Sequence, residues 1–171
     1  MKTNNVLGFL YEHSINKIMK PNQHVFDFYS IENKNRLGTL VCHKSKSQIR
    51  PNYDGSVLAV DYIEVTNKNQ GIGTKILNFA EKFSMEEGCK GFMTLKADCF
   101  FTPEKIPHIF YRKFGFSTLD DETDKKLDKF IKQNANATKN DFPCLLMHYP
   151  KEKKESIFKR IFSFFKQLIK A

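Results

Sequence analysis

The stretch NKNQGIGTKIL, residues 67–77, sets two glycines one residue apart at the entrance to a helix. Before it, SVLAVDYIEV (56–65) is an apolar, β-branched run that reads as a strand; after it, TKILNFAEKFSMEEG (74–88) repeats apolar residues at helical spacing. A helix N-terminus leaves its first N–H groups unpaired and carries partial positive charge, which suits a phosphate. Glycine removes the Cβ that would hold the phosphate off the backbone. Gly71 and Gly73, with Asn69, Gln70, Ile72 and Thr74 around them, form such a cradle, to which Thr74 adds a hydroxyl and Lys68 a charge. Alone, a G-x-G is equally a tight turn: the third glycine of the dinucleotide fingerprint and the G-K-[ST] of a P-loop are both missing.

Outward from this turn, the pattern predicts a helix over 5–20 closed by Pro21, then strands in HVFDFYSI (24–31) and RLGTLVCHK (36–44) joined by the polar ENKNR. KSQIRPNYDG is a loop leading to the strand at 56–65. The helix of about 74–87, a strand at 90–97 and a short helix in FTPEKIPHIFYRKFGF follow, with Pro103 near its first turn and Gly115 ending it. A helix near 122–133 and a last strand in PCLLMHYP complete the order. Strands alternating with helices predict an α/β layer, a mixed central sheet flanked by helices.

A chain of 171 residues fits one globular domain, taken here as 1–150, followed by a tail at 151–171. Cys42, Cys89, Cys99 and Cys144 show no C-x-x-C pairing and the N-terminus lacks a signal-peptide pattern, so a reducing, cytoplasmic setting is expected. No apolar run reaches the roughly 20 residues of a membrane span. Of the net charge of +9, five charges lie in the last 21 residues, so the body does not read as a nucleic-acid binder. In the tail, Ile157, Phe158, Ile161, Phe162, Phe164, Phe165, Leu168 and Ile169 share one helical arc, opposite Lys159, Arg160, Lys166 and Lys170. Such a basic amphipathic helix over 156–171 suits an anionic membrane surface, and equally a face of its own domain, a partner protein or a second copy in a homodimer.

Two motifs together carry a family resemblance. KNQGIGT (68–74) resembles the [Q/R]-x-x-G-x-[G/A] signature of the GNAT acetyltransferases, with Lys68 where that family has Gln or Arg; FYRKFGF (110–116) resembles the same family's F-Y-x-K-x-G-F. They stand in the family's order, and the resemblance covers roughly residues 24–149. It implies a GNAT fold that holds the pyrophosphate of acetyl-coenzyme A on the glycine turn, with Tyr111 protonating the departing thiolate and Lys113 near the nucleotide. It also implies a strand at 56–65 that splays from its neighbour at a bulge, so that Asp61, Tyr62 and Ile63 lie along the pantetheine arm and Ile63 or its neighbour donates to the thioester oxygen.

An amine acceptor is mostly protonated at neutral pH, so a proton acceptor is needed. Asp61 and Glu64 are the carboxylate candidates. Unbroken alternation would put them on opposite faces, with Asp61 beside Ile63; water is the third possibility. His108, one helical turn before Tyr111, is more simply a packed side chain. Two departures limit the resemblance: the loop DCFFTPEKIP is long, leaving Glu104 nearest the family's cofactor asparagine, and about 23 residues stand where the family has a strand and two helices. The implied activity is acetyl transfer from acetyl-coenzyme A to a primary amine of a small molecule, a protein or an aminoacyl-tRNA, by direct attack in a ternary complex and with no metal. The alternative is a non-catalytic acyl-coenzyme-A-binding module docked through its tail.

Overall fold

The structure, a computed structural model, describes residues 4–16, 22–46, 55–67, 70–98, 107–133, 135, 137, 138 and 140–150. The tail, Lys68, Asn69, Glu104 and Pro103 lie outside the described residues. Seven strands lie in chain order in one sheet: β1 (Asn4–Val6), β2 (Phe9–Asn16), β3 (Gln23–Tyr29), β4 (Arg36–Lys46), β5 (Ser56–Val65), β6 (Met93–Ala97) and β7 (Leu145–Tyr149). Neighbours are antiparallel except β5 and β6, which are parallel and joined by α1 (Ile72–Glu86). Helices α2 (Pro107–Phe114) and α3 (Asp121–Lys132) follow β6. This is the mixed, helix-flanked sheet expected from the strand and helix pattern.

The predicted helix over 5–20 is not formed; its described part is a β-hairpin. Leu7 (φ 52°) and Gly8 (φ 80°) make a two-residue turn closed by the pair Val6 and Phe9. Positive φ at both turn residues matches the twist of the flanking strands. Phe9, Tyr11 and His13 then recur at period 2 rather than 3.6; Tyr11 meets Phe26 edge-on at 5.8 Å and His13 stacks on it at 4.4 Å. β2 continues in register with β3 down to Asn16 and Gln23, so only six residues join them.

Helix α1 lies on one face of this sheet because Ile72, Ile76, Leu77, Phe79, Ala80 and Phe83 form its buried stripe. Phe79 and Phe83 meet Phe26 at 4.9 and 4.8 Å, and Phe79 meets Phe28 at 5.2 Å. Each such ring contributes roughly 1.5–3 kcal/mol by leaving water. That packing fixes where the helix N-terminus points.

The pairing of β4 with β5 passes from Val41 and Tyr62 directly to Cys42 and Val60, which makes Asp61 an extra, bulged residue. The bulge shifts the phase of everything beyond it. Ile63 opposes the buried Leu40 and faces α1, whereas Glu64 opposes Thr39 on the other face, where Asp61 also bonds Gln23 and His43. Asp61 and Glu64 therefore share a face and Ile63 lies opposite, correcting the alternation expected from the sequence. The inserted residue is the physical reason.

Candidate active site

Gly71 is the N-cap of α1, at φ 71° and ψ 3°, a left-handed conformation that glycine adopts without steric cost. Among the described residues no side chain caps the helix, and no acidic residue stands in its first turn, so the amides of Ile72, Gly73 and Thr74 keep their donors for an outside group. Among the described residues, a Cβ at Gly71 would meet nothing within 4 Å. Gly73 has a different reason for being glycine: its Cβ would stand 3.0 Å from the Phe110 ring. Helix α2 thus rests on the first turn of α1 through Phe110. Gln70 and Thr74 are exposed around the turn, while Ile72 points into the core. A glycine-led turn with no acidic residue in the first turn of its helix and, among the described residues, no side-chain cap fits a phosphate group.

β5 pairs with β6 only at Leu58, Ala59 and Val60; past the bulge the two part. The Thr66 N–H donates to Leu37 O at 2.9 Å, and strand alternation carried back from it turns the N–H groups of Glu64 and Tyr62 toward β4 and those of Ile63 and Val65 toward the gap. The gap opens at the same end of β5 as the glycine turn. Its edge offers backbone donors to an extended chain.

Tyr111, in α2, is half-buried, with its ring edge-on to Phe116 at 5.7 Å and 5.3 Å from Phe110. Among the described residues its hydroxyl makes no hydrogen bond, and burial pushes its pKa up to about 12. The phenol is therefore fully protonated at neutral pH. Lys113 is exposed in the last turn of α2. His108 is wholly buried, with Nε2 donating to Pro143 O at 2.9 Å, and burial holds its pKa below the ordinary histidine range. It is a packed side chain.

The two carboxylate candidates differ in their engagements. Glu64 accepts from Arg36 at 2.9 Å, in a cluster where Arg36 also bonds Asp27 at 3.3 Å and reaches the Thr39 hydroxyl. Asp61 Oδ2 accepts from His43 Nδ1 at 2.7 Å and from Gln23 Nε2 at 2.9 Å. Asp61 counts as exposed because the bulge opens its backbone; its carboxylate side chain is only 22% exposed. Tyr62 is exposed on the same face.

Sequence reasoning missed His43, Gln23 and Arg112. The buried Arg112 guanidinium ties α2 to α3 through Asp124 at 3.0 Å and Asp128 at 2.8 Å, and so sets the pose of its neighbour Tyr111. Asp124 and Asp128, at i and i+4 on a helix, were the available signal.

No protein-family model matches the chain, and no curated protein does. Among solved structures it is similar to an acetyltransferase from Corynebacterium glutamicum described together with histone acetyltransferase HPA2 (15% identity over 78% of this chain and 67% of that one, TM-score 0.45). It is similar also to Arabidopsis thaliana Naa50 in complex with a bisubstrate analogue (18%, 72% and 70%, TM-score 0.44) and to the Bacillus subtilis N-acetyltransferase YlbP in complex with coenzyme A (15%, 78% and 73%, TM-score 0.46). Likeness this faint does not carry a function, which rests instead on the geometry above.

Proposed function

We propose that this chain is an acetyl-coenzyme-A-dependent N-acetyltransferase of the GNAT type, acting on a primary amine by direct attack in a ternary complex. The observation that carries the reading is the parting of β5 from β6 at the Asp61 bulge beside an uncapped, glycine-led helix N-terminus. The turn amides of Gly71, Ile72, Gly73 and Thr74, aided by Lys68, Asn69 and Gln70, would hold the pyrophosphate, with Lys113 nearby. The gap-facing edge at Ile63 and Val65 would pair with the pantetheine amides, whereas the backbone of Tyr62, expected from the sequence to take part, is turned toward β4. The Ile63 N–H would then donate to the thioester oxygen; a preorganised donor of this kind contributes about 10²–10³ in rate.

Tyr111 acts on the leaving group. An ordinary thiol, of pKa about 8.5, is more than three orders of magnitude more acidic than a phenol held near 12. Tyr111 therefore donates a hydrogen bond to the developing thiolate rather than losing its proton outright. Burial pushes the Cys42 and Cys89 thiols up as well, so neither supplies a thiolate to carry the acetyl group.

The enzyme is proposed to work in a reducing cytoplasm, with its basic segment 156–171 meeting an anionic membrane or a partner; sedimentation of the full chain with anionic but not neutral vesicles would bear out the membrane arm. The activity is tested by thiol release from acetyl-coenzyme A on adding primary amines. The expected result is amine-dependent release that falls about 10- to 100-fold in Tyr111→Phe, the worth of one hydrogen bond to a charged group, with unchanged acetyl-coenzyme A affinity. Thiol release equal in the two proteins would remove Tyr111 from the reaction.

A further inference from the structure

We propose that His43 is the base that takes the amine proton, with Asp61 and Gln23 as its positioning residues; this rests on the acetyltransferase reading above. Asp61 Oδ2 lies 2.7 Å from His43 Nδ1 and 2.9 Å from Gln23 Nε2. A carboxylate can only accept, so Nδ1 carries the hydrogen and the neutral ring keeps its lone pair on Nε2, at the opposite end. The carboxylate that stood as the base candidate is thus turned to orienting an imidazole. Its rival Glu64 is held by Arg36.

The location fits the role. Asp61 is the bulged residue at the point where β5 leaves β6, so the dyad stands at the mouth of the gap. Both side chains are mostly covered, His43 at 20% and Asp61 at 22% exposed, yet remain within reach of solvent. On the same face of the sheet, nearest His43 in register, stand Ala59 and Asp61 on β5, Gln23 and Val25 on β3 and Thr94 on β6, with Lys96 two residues further along β6. Asp61 and Lys96 are the charged groups among them.

The amine arrives as its free base, having left one proton in water. Its nitrogen lone pair forms the C–N bond at the thioester carbon and the carbonyl π pair moves to oxygen. A nitrogen proton passes to His43 Nε2, the oxygen pair re-forms C=O, and the C–S bond breaks with its electrons on sulfur. The imidazolium then returns its proton to water and the thiolate takes one up, which closes the balance.

The test uses the full chain, acetyl-coenzyme A at saturation and spermidine as probe, a primary amine whose further charges suit Glu12, Asp27 and Glu64 on the same face. In the wild type, log kcat/KM for the amine should rise with slope 2 at low pH, one proton from the amine and one from His43, and break to slope 1 once the imidazole is neutral. His43→Gln keeps a donor to Asp61 but should lose the break, follow slope 1 throughout and lose about 10²–10⁴ in kcat, with acetyl-coenzyme A affinity unchanged. Asp61→Asn should keep the break at reduced kcat. A wild-type slope of 1 throughout, or a break that persists in His43→Gln, overturns the proposal. Absence of wild-type turnover also overturns it, and calorimetry separates the causes: no binding of acetyl-coenzyme A removes the acetyltransferase reading too, whereas binding without turnover leaves the cofactor site and removes only the base.

Discussion

Replacing Arg112 with Met probes what holds α2, and with it Tyr111, in place. The guanidinium side chain is 3% exposed and makes five polar contacts: with both oxygens of Asp128 at 2.8 Å and, sharing the two hydrogens of Nη1, with Asp124 Oδ2 at 3.0 Å, Ser117 Oγ at 2.8 Å and Phe116 O at 3.1 Å. Its two carboxylate partners differ in surroundings: Asp124 is 9% exposed and also accepts from the Thr118 N–H at 2.9 Å, whereas Asp128 is 45% exposed. Taking away one partner of a buried pair costs about 3–5 kcal/mol because a charge is left without compensation. An exposed pair is worth about 0–1 kcal/mol. Arg112→Met should therefore cost about 3–5 kcal/mol, roughly 6–20 °C in Tm for a domain of this size. Asp128→Ala should cost about 1 kcal/mol or less, although it provides two of the five contacts. Arg112→Met with Asp124→Leu should recover part of the loss, leaving about 1–3 kcal/mol for the deserted Thr118 N–H. Urea unfolding followed by far-ultraviolet circular dichroism measures all three. Equal losses in Arg112→Met and Asp128→Ala would refute the reasoning, since bond count rather than burial would then set the cost.

Two further predictions concern stability. Leu7 holds φ 52° in the first hairpin with its side chain partly in solvent, so Leu7→Asn, better suited to that conformation, should stabilise by about 0.5–1 kcal/mol; a loss on thermal melting would contradict the hairpin. Burial lowers the pKa of His13, helped by its stacked neighbour His24, and burial lowers that of His108. Below the ordinary histidine pKa of about 6.5 the unfolded chain then binds more protons than the folded one, so stability falls as pH drops from 7 to 5. Asp120 and Asp141 stay out of this window, because hydrogen bonds from Thr123 and Thr138 respectively hold them below the usual carboxylate range. Urea midpoints at the two pH values check this, and a midpoint that rises on acidification would count against it.

Much of the fold was legible because its signals are periodic. The strand at 56–65 and the helix after it show their periods plainly, and the glycine pair marks the joint between them. The N-terminal hairpin was not legible because its turn is led by Leu7, a residue that seldom takes positive φ, where Asn or Asp would have announced it. The bulge at Asp61 was anticipated only through the family resemblance, and its consequence for the faces of β5 was not, since one inserted residue leaves no periodic trace but inverts every side chain beyond it. His43 escaped for a related reason. A lone histidine in a strand reads as surface until the bulge brings Asp61 onto its face.

The claim at the centre of this account is that the open turn at Gly71 holds the pyrophosphate of acetyl-coenzyme A. Calorimetric titration of the full chain with acetyl-coenzyme A, beside a Gly71→Glu variant, tests it most directly. The variant places a side chain and a negative charge at the helix N-terminus, where among the described residues a Cβ meets nothing within 4 Å. Saturable binding to the wild type and its loss in the variant are expected, with circular dichroism showing both proteins folded. No binding by the folded wild type, or equal binding by both, would contradict it.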